Sequence, residues 1–297
     1  PSSRDAGGRV KQHRVWIWWA LAAMLAWMPS ASAQGPAGVR KQVEASMRVT
    51  GAIHIAADGS VEHVQLDTPD RLPKGISGFV ESNMASWRFE PVLVDGVPRR
   101  ALTKVSALLV GKTIGGGQMS VSIRGADFSD DTVVPATQQI TGRQLRPPAF
   151  PMSAAEEGVQ GTVYLLVKVE RDGTVGDVST EQVNLRFVAS APQMDRHRDR
   201  FARVAMAAAR NWTFAPPTEG EQAAQPYWIV RVPVDFTFTG PLPYGKWQVY
   251  IPGPRTRPGW APDEDAPGFS PDALAEGSIH MAGGNRRPKL LTPLDEA

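Results

Sequence analysis

Hydrophobic residues recur with a period of two in two places, and each run is split by Asp-Gly. In the first, Met47, Val49, Ile53 and Ile55 alternate with polar or small residues, Asp58-Gly59 follows, and Val61, Val64 and Leu66 resume. In the second, Val163, Leu165, Val167 and Val169 lead to Asp172-Gly173, and Val175 and Val178 follow. Successive side chains of a strand point to opposite faces, and Asp-Gly suits the positive φ of a tight turn. Each pattern therefore predicts a hairpin with one buried face.

A helical spacing follows each hairpin. Ile76, Phe79, Val80 and Trp87 form one set, and Phe201, Val204, Ala205 and Ala208 the other. Both describe one face of an amphipathic helix. Each set ends in the same signature, Trp87-Arg88-Phe89-Glu90-Pro91 and Trp212-Thr213-Phe214-Ala215-Pro216. Proline cannot continue a helix and restricts the residue before it. The aromatic pair is expected to plug the core where the chain turns. A closing strand is expected near residues 101–110 and again at 227–238, with Val232, Val234, Phe236 and Phe238 on one face.

The order of features thus repeats. The fold class expected is α+β, with two small antiparallel sheets, each packed with one or two helices. The domain reading is 39–112 for the first unit, 113–146 for a linker, 147–239 for the second unit and 240–297 for a tail. Residues 119–123 could form a short strand within the linker. The two Asp-Gly turns are 114 residues apart and the Trp-x-Phe-x-Pro signatures 125, so the second unit carries 11 extra residues. These include Pro192 and the charged run Asp195, Arg196, His197, Arg198, Asp199 and Arg200, read as a solvated helix start. The last 58 residues hold 10 prolines and 8 glycines, which reads as a low-complexity tail, with Trp247, Tyr250 and Trp260 as points that could tie it down.

Composition changes this picture at the N-terminus. Arg9, Lys11 and Arg14 precede an apolar run at 15–28, and Ala31-Ser32-Ala33 follows Pro29. A basic start, a short apolar core and an A-x-A site are the parts of a secretory signal peptide, here residues 1–33. The run of 14 residues falls short of the ~20 that span a bilayer. An uncleaved membrane anchor is the alternative. Residues 1–33 carry a net charge of +3, from Arg4, Arg9, Lys11 and Arg14 against Asp5, so the chain total of +2 becomes −1 without them. The remainder has no charge excess that would favour nucleic acid. There is no cysteine, which excludes disulfides and cysteine-ligated zinc.

The second unit resembles the C-terminal domain of the TonB energy transducers. The residues that carry the resemblance are Phe150-Pro151, Gly161-Thr162-Val163, Asp172-Gly173, the alanine-rich helix, Trp212-Thr213-Phe214-Ala215-Pro216 and the strand Val232-Pro233-Val234-Asp235-Phe236. The first unit is a weaker match without the aromatic-Pro entry. The resemblance implies a periplasmic domain of a Gram-negative cell that grips outer-membrane receptors by strand addition at an exposed sheet edge. On this chain the implied partner-binding residues are Tyr227, Ile229, Arg231, Val232, Val234, Asp235 and Phe236, with Arg231 and Asp235 facing outward. The sequence departs from the family pattern in two ways. Its apolar N-terminal segment looks cleavable, and only residues 34–42 separate that segment from the first unit, where the transducers have a long proline-rich spacer.

Other chemistry is weaker. A tight turn at Asp58-Gly59 places His54 opposite His63, close enough for two metal ligands. The matching pair in the second unit is Lys168 and Asp177, so a polar surface pair is the better reading and no metal site is expected. The Asp-Gly turns lack the acidic ligands of an EF-hand, and Gly115-Gly116-Gly117 lacks the Lys-Ser/Thr of a phosphate loop. No serine has a nucleophile-elbow context, and Glu156 and Glu157 are adjacent, so they would point apart on a helix.

The function expected is therefore non-enzymatic and without a cofactor: a periplasmic binding or adaptor protein that pairs with an envelope protein through a sheet edge. An outer-membrane TonB-dependent receptor and a second copy of this chain are the partners to consider, and no nucleic acid is expected. The alternative is an inner-membrane-anchored transducer, which would require an uncleaved N-terminus and a motor partner. An envelope hydrolase is the remote third reading.

Overall fold

The computed structural model describes residues 43–116, 118–130, 135–238, 240, 243–262, 267–274, 278–283 and 288–294. The signal-peptide reading of 1–33 lies outside the described residues. Among the described residues, no helix is long and apolar enough to cross a membrane.

The first unit opens with β1 (Glu44–Ile55) and β2 (Val61–Leu66), which pair antiparallel around Asp58-Gly59. The alternation works as expected: Met47, Val49, Ile53 and Ile55 are all buried. After a 3-10 turn at Pro69–Arg71, α1 (Ile76–Ala85) lays Ile76, Val80 and Met84 on this face. Trp87 and Phe89 then enter the core and meet Phe128 edge-on, with ring centroids 6.0 and 5.2 Å away. A small exposed hairpin follows, β3 (Leu93–Val94) and β4 (Val97–Pro98). The closing strand β5 (Ala101–Gly115) pairs with β1 over eleven register positions.

At this point the structure corrects the sequence. Much of the expected linker is β6 (Gln118–Asp130), which pairs antiparallel with β5 from Gly115↔Gln118 to Thr103↔Asp130. Glycines and aspartates made the stretch read as loop, but Ile123, Ala126 and Phe128 pack into the first core.

The second unit follows. β7 (Thr141–Gln144) and the short α2 (Met152–Glu156) lead into β8 (Gly161–Glu170) and β9 (Val175–Leu185). The helix α3 (Ala191–Ala209) has 19 residues where α1 has 10. The helix is thus nine residues longer and β9 is five longer than β2, while the connection from strand to helix, 186–190 against 67–75, is shorter. Pro192 sits in its first turn, where a missing N–H costs nothing, and the Gln193 side-chain oxygen accepts from the Ser190 N–H at 3.1 Å. The buried face is Met194, His197, Phe201, Ala205 and Ala209. The charged run is therefore helical as expected, but His197 points inward and meets Glu157 at 3.1 Å. After β10 (Thr213–Ala215) comes the closing strand β11 (Tyr227–Phe236), paired with β8. Phe201 and Phe236 stack at 4.4 Å, and Phe150 of the aromatic-Pro entry packs edge-on against both.

The tail is the second correction. β12 (Gln248–Tyr250) pairs with the start of β1, Ile251 bridges Leu185 of β9, and the Thr256 N–H donates to the Glu181 carbonyl at 2.8 Å. β13 (His280–Met281) pairs with β11, and Leu290, fully buried, bridges Phe89. An extended, proline-rich chain has unpaired backbone groups, and so do sheet edges; each supplies what the other lacks. The sheet orders are β12-β1-β5-β6, with β2 also on β1, and β13-β11-β8-β9.

Candidate partner-binding edge

The sequence places the binding residues on β11, and the backbone decides which of them face an edge. Ile229 accepts a hydrogen bond from the Ala282 N–H at 2.9 Å on the side away from β8. Residues of a strand alternate in bonding direction, so the backbone groups of Arg231, Pro233 and Asp235 also point to that outer side. Pro233 has no N–H to lose there, which is the position at which a strand tolerates proline. β13 pairs with β11 only at Val230 and Arg231. From Val232 to Phe236 no other strand among the described residues lies on the outer side of β11.

The side chains sit differently from the expectation. Val232, Val234 and Phe236 face the core with Trp228 and Val230. Ile229 faces the opposite way, into a small cluster with Leu166, Ala261 and Ala282. Arg231, expected to point outward into solvent, is buried: its Nε donates to Glu181 at 2.7 Å and its guanidinium lies 4.6 Å from the Phe269 ring centroid. Arg255 donates to the same carboxylate at 2.9 Å. Two guanidiniums around one fully buried carboxylate satisfy the charge that burial would otherwise penalise. Asp235 is also held, by the Thr162 hydroxyl and by Arg186 at 3.5 Å. Tyr227 is exposed, with the Lys168 ammonium 4.5 Å from its ring centroid. The accessible feature is therefore the backbone rim from Val232 onward. The surface residues beside it are Tyr227 at one end and Phe238, 48% exposed, at the other. Sequence reasoning missed the tail, because no local pattern shows that residues 280–281 lie beside residues 230–231.

The histidines do face each other, but not through a two-residue turn: Ile55 pairs with Val61 and the Ala56 N–H donates to the Ser60 carbonyl, so residues 57–59 form the loop, and a bulge between His54 and Ile55 restores the register. His54 and His63 are register partners with ring centroids 5.7 Å apart, and Lys168 faces Asp177 in the second unit. Among the described residues, no group of three or more potential metal ligands gathers.

Residues 146–238 match the family described as Gram-negative bacterial TonB protein C-terminal. Protein TonB of Xanthomonas campestris pv. campestris (strain B100) is 39% identical over 102 residues, which is 34% of this chain and 39% of that protein. Protein TonB of strain ATCC 33913 matches to the same extent. The chain thus spans about 39% of the length of these curated relatives. A solution NMR structure of the Pseudomonas aeruginosa TonB CTD has 24% identity, with 35% of this chain and 90% of that one covered, at a TM-score of 0.22. Residues 146–238 are thus similar to a TonB C-terminal domain, within an α+β chain of small antiparallel sheets.

Proposed function

We propose that the chain is a periplasmic binding or adaptor protein of the Gram-negative envelope, and that β11 pairs with an extended segment of an envelope protein. TonB proteins are transport energy transducers rather than enzymes, and an outer-membrane TonB-dependent receptor is the first partner to test. The reading assigns the contact to the stretch Val232, Val234, Asp235 and Phe236, where the backbone groups of Pro233 and Asp235 face outward, flanked by Tyr227, Ile229 and Arg231. The first unit is read as a diverged copy of the same domain.

One observation carries this reading. The closing strand of the first unit, β5, has its outer side filled by β6 along most of its length. The closing strand of the second unit, β11, is covered at only two register positions. A strand added antiparallel beside Val232–Phe236 would make the contact that β6 already makes in the first unit. Main-chain bonds would supply affinity, and pockets for alternate side chains would supply selectivity.

Hydrogen exchange on the full chain tests it, with a synthetic extended segment of an outer-membrane TonB-dependent receptor as the probe. The Asp235 amide should gain protection when the segment binds, and the β5 amides should not change. Binding that leaves the Asp235 amide exchanging at the free rate would remove the proposal.

The anchored transducer remains the second reading. It is favoured by the apolar run at 15–28 and by relatives named Protein TonB. Mass spectrometry of the native N-terminus separates the two. A form starting at Gln34 supports the periplasmic protein, and a membrane form retaining residues 15–28 supports the transducer.

A further inference from the structure

A cavity of about 220 Å³ lies where the two units meet the tail. One wall is β1, with Met47 and Arg48; another joins the starts and ends of β8 and β9, with Tyr164 and Arg186; the tail closes it with Tyr244 and Lys246. This is about seven water volumes at ~30 Å³ each.

The chemistry of the walls is uneven. Arg48, Arg186 and Lys246 bring three positive charges, and the carboxylate among the lining residues is Asp272. Asp272 is already engaged: the Tyr250 hydroxyl, the Ser270 hydroxyl and the Asn184 amide all donate to it. Arg186 spends one terminal nitrogen on Thr162, at 3.0 Å, and the other on the Gly161 carbonyl, at 3.2 Å, beside Asp235. Its Nε is buried with no hydrogen-bond partner among the described residues, and so is the Tyr244 hydroxyl. Burial pushes the Tyr164 phenol above its ordinary 10.0, with Asp272 acting in the same direction, so the ring stays neutral. A guanidinium nitrogen can only donate, and a buried donor needs an acceptor. Leu108, Leu185 and Val249 give the wall an apolar side, beside the polar Ser46, Thr50 and Gln248.

The geometry points to a binding site for a small organic anion: a carboxylate with a short apolar body. The carboxylate would accept from Arg186 Nε and the Tyr244 hydroxyl within the field of Arg48 and Lys246. Its hydrocarbon part would lie on Leu108, Leu185 and Val249. Inorganic phosphate would satisfy the charge and leave the apolar wall unused, and an amine would meet the wrong sign. This site is separate from the outer edge of β11, and the inference does not rest on the strand-addition reading.

Titration calorimetry of the full chain with hexanoate, hexylamine and inorganic phosphate tests it. Hexanoate should bind saturably at one site, hexylamine should not bind, and phosphate should bind more weakly than hexanoate. Tyr244→Phe keeps the ring and removes the hydroxyl; Lys246→Gln alters an exposed residue and should leave the fold intact even if the first variant does not. Each should weaken hexanoate by about tenfold, the scale of one charge-assisted contact. No saturable binding of hexanoate overturns the inference and leaves a cavity that serves only water. Equal binding of hexylamine, tighter binding of phosphate, or hexanoate affinity unchanged in the folded variants overturns it too.

Discussion

The backbone N–H of Phe214 donates to the carbonyl of Gly173 at 2.8 Å, and Phe89 donates to Gly59 at the same distance. In both units the hairpin turn is pinned to the phenylalanine of the Trp-x-Phe-x-Pro signature. The turns match in detail: Asp58 accepts from the amide and hydroxyl of Ser60, and Asp172 from those of Thr174. Both glycines have positive φ, and a Cβ on Gly173 would lie 2.2 Å from the Phe214 carbonyl oxygen.

Gly173→Ala should therefore lose stability on two counts, backbone strain and a collision with main chain that cannot swing aside. The expected loss is roughly 1–3 kcal/mol from strain, with the collision adding to it. Urea unfolding checks it. Gly158→Ala also has positive φ but meets nothing within 4 Å, and should cost less.

Glu181→Gln should destabilise the second unit strongly. The carboxylate is fully buried and serves both Arg231 and Arg255, so its loss leaves two guanidiniums without the charge they share. Breaking a buried pair from one side costs about 3–5 kcal/mol. Thermal unfolding should show the loss, and Arg255→Gln should cost less because that side chain is 34% exposed.

Acid stability should depend on Glu44. Burial alone would raise this carboxyl, but hydrogen bonds and charge from Arg124, at 2.6 Å, and Lys112, at 3.1 Å, outweigh it. The folded value therefore lies below the ordinary 4.5. A group depressed in the folded state stabilises fully above its unfolded value, and that contribution disappears as pH falls through the folded value. Stability measured from pH 6 down to about 2 should fall less steeply in Glu44→Gln than in the parent chain, across the region below about 4.5.

A chain ending at Gly240 should keep the hairpins but lose their cover. Removing the tail uncovers Leu166 and Ile229, the β9 edge at Leu185 and the Phe89 edge met by Leu290. Hydrogen exchange should rise at Leu185 and Glu90, whose N–H groups donate to the Ile251 and Lys289 carbonyls of the tail, and the shortened chain should bind more of an apolar dye. Unchanged exchange at both positions would mean the tail contributes little to the sheets.

The sequence by itself determined the elements whose information is local. Period two on each side of Asp-Gly gave both hairpins, but not their turns: each loop is one residue longer than a two-residue turn, and a bulge at His54/Ile55 and at Lys168/Val169 restores the facing pairs. The helical spacing gave α1 and the core of α3, and the two Trp-x-Phe-x-Pro signatures gave the plugs of both cores. What remained depended on contacts distant in sequence. Residues 118–130 became a strand because β5 offered them an open edge, and the tail became ordered for the same reason at β1, β9 and β11. Arg231 became an interior residue because Glu181, fifty positions away, supplied its counter-charge. Both faces of β8 are buried because the tail folds over the second one, so alternation there showed only half of what is inside. A period records which side of an element is apolar; it does not record which distant backbone edge or charge will meet the other side, and only the folded chain decides that.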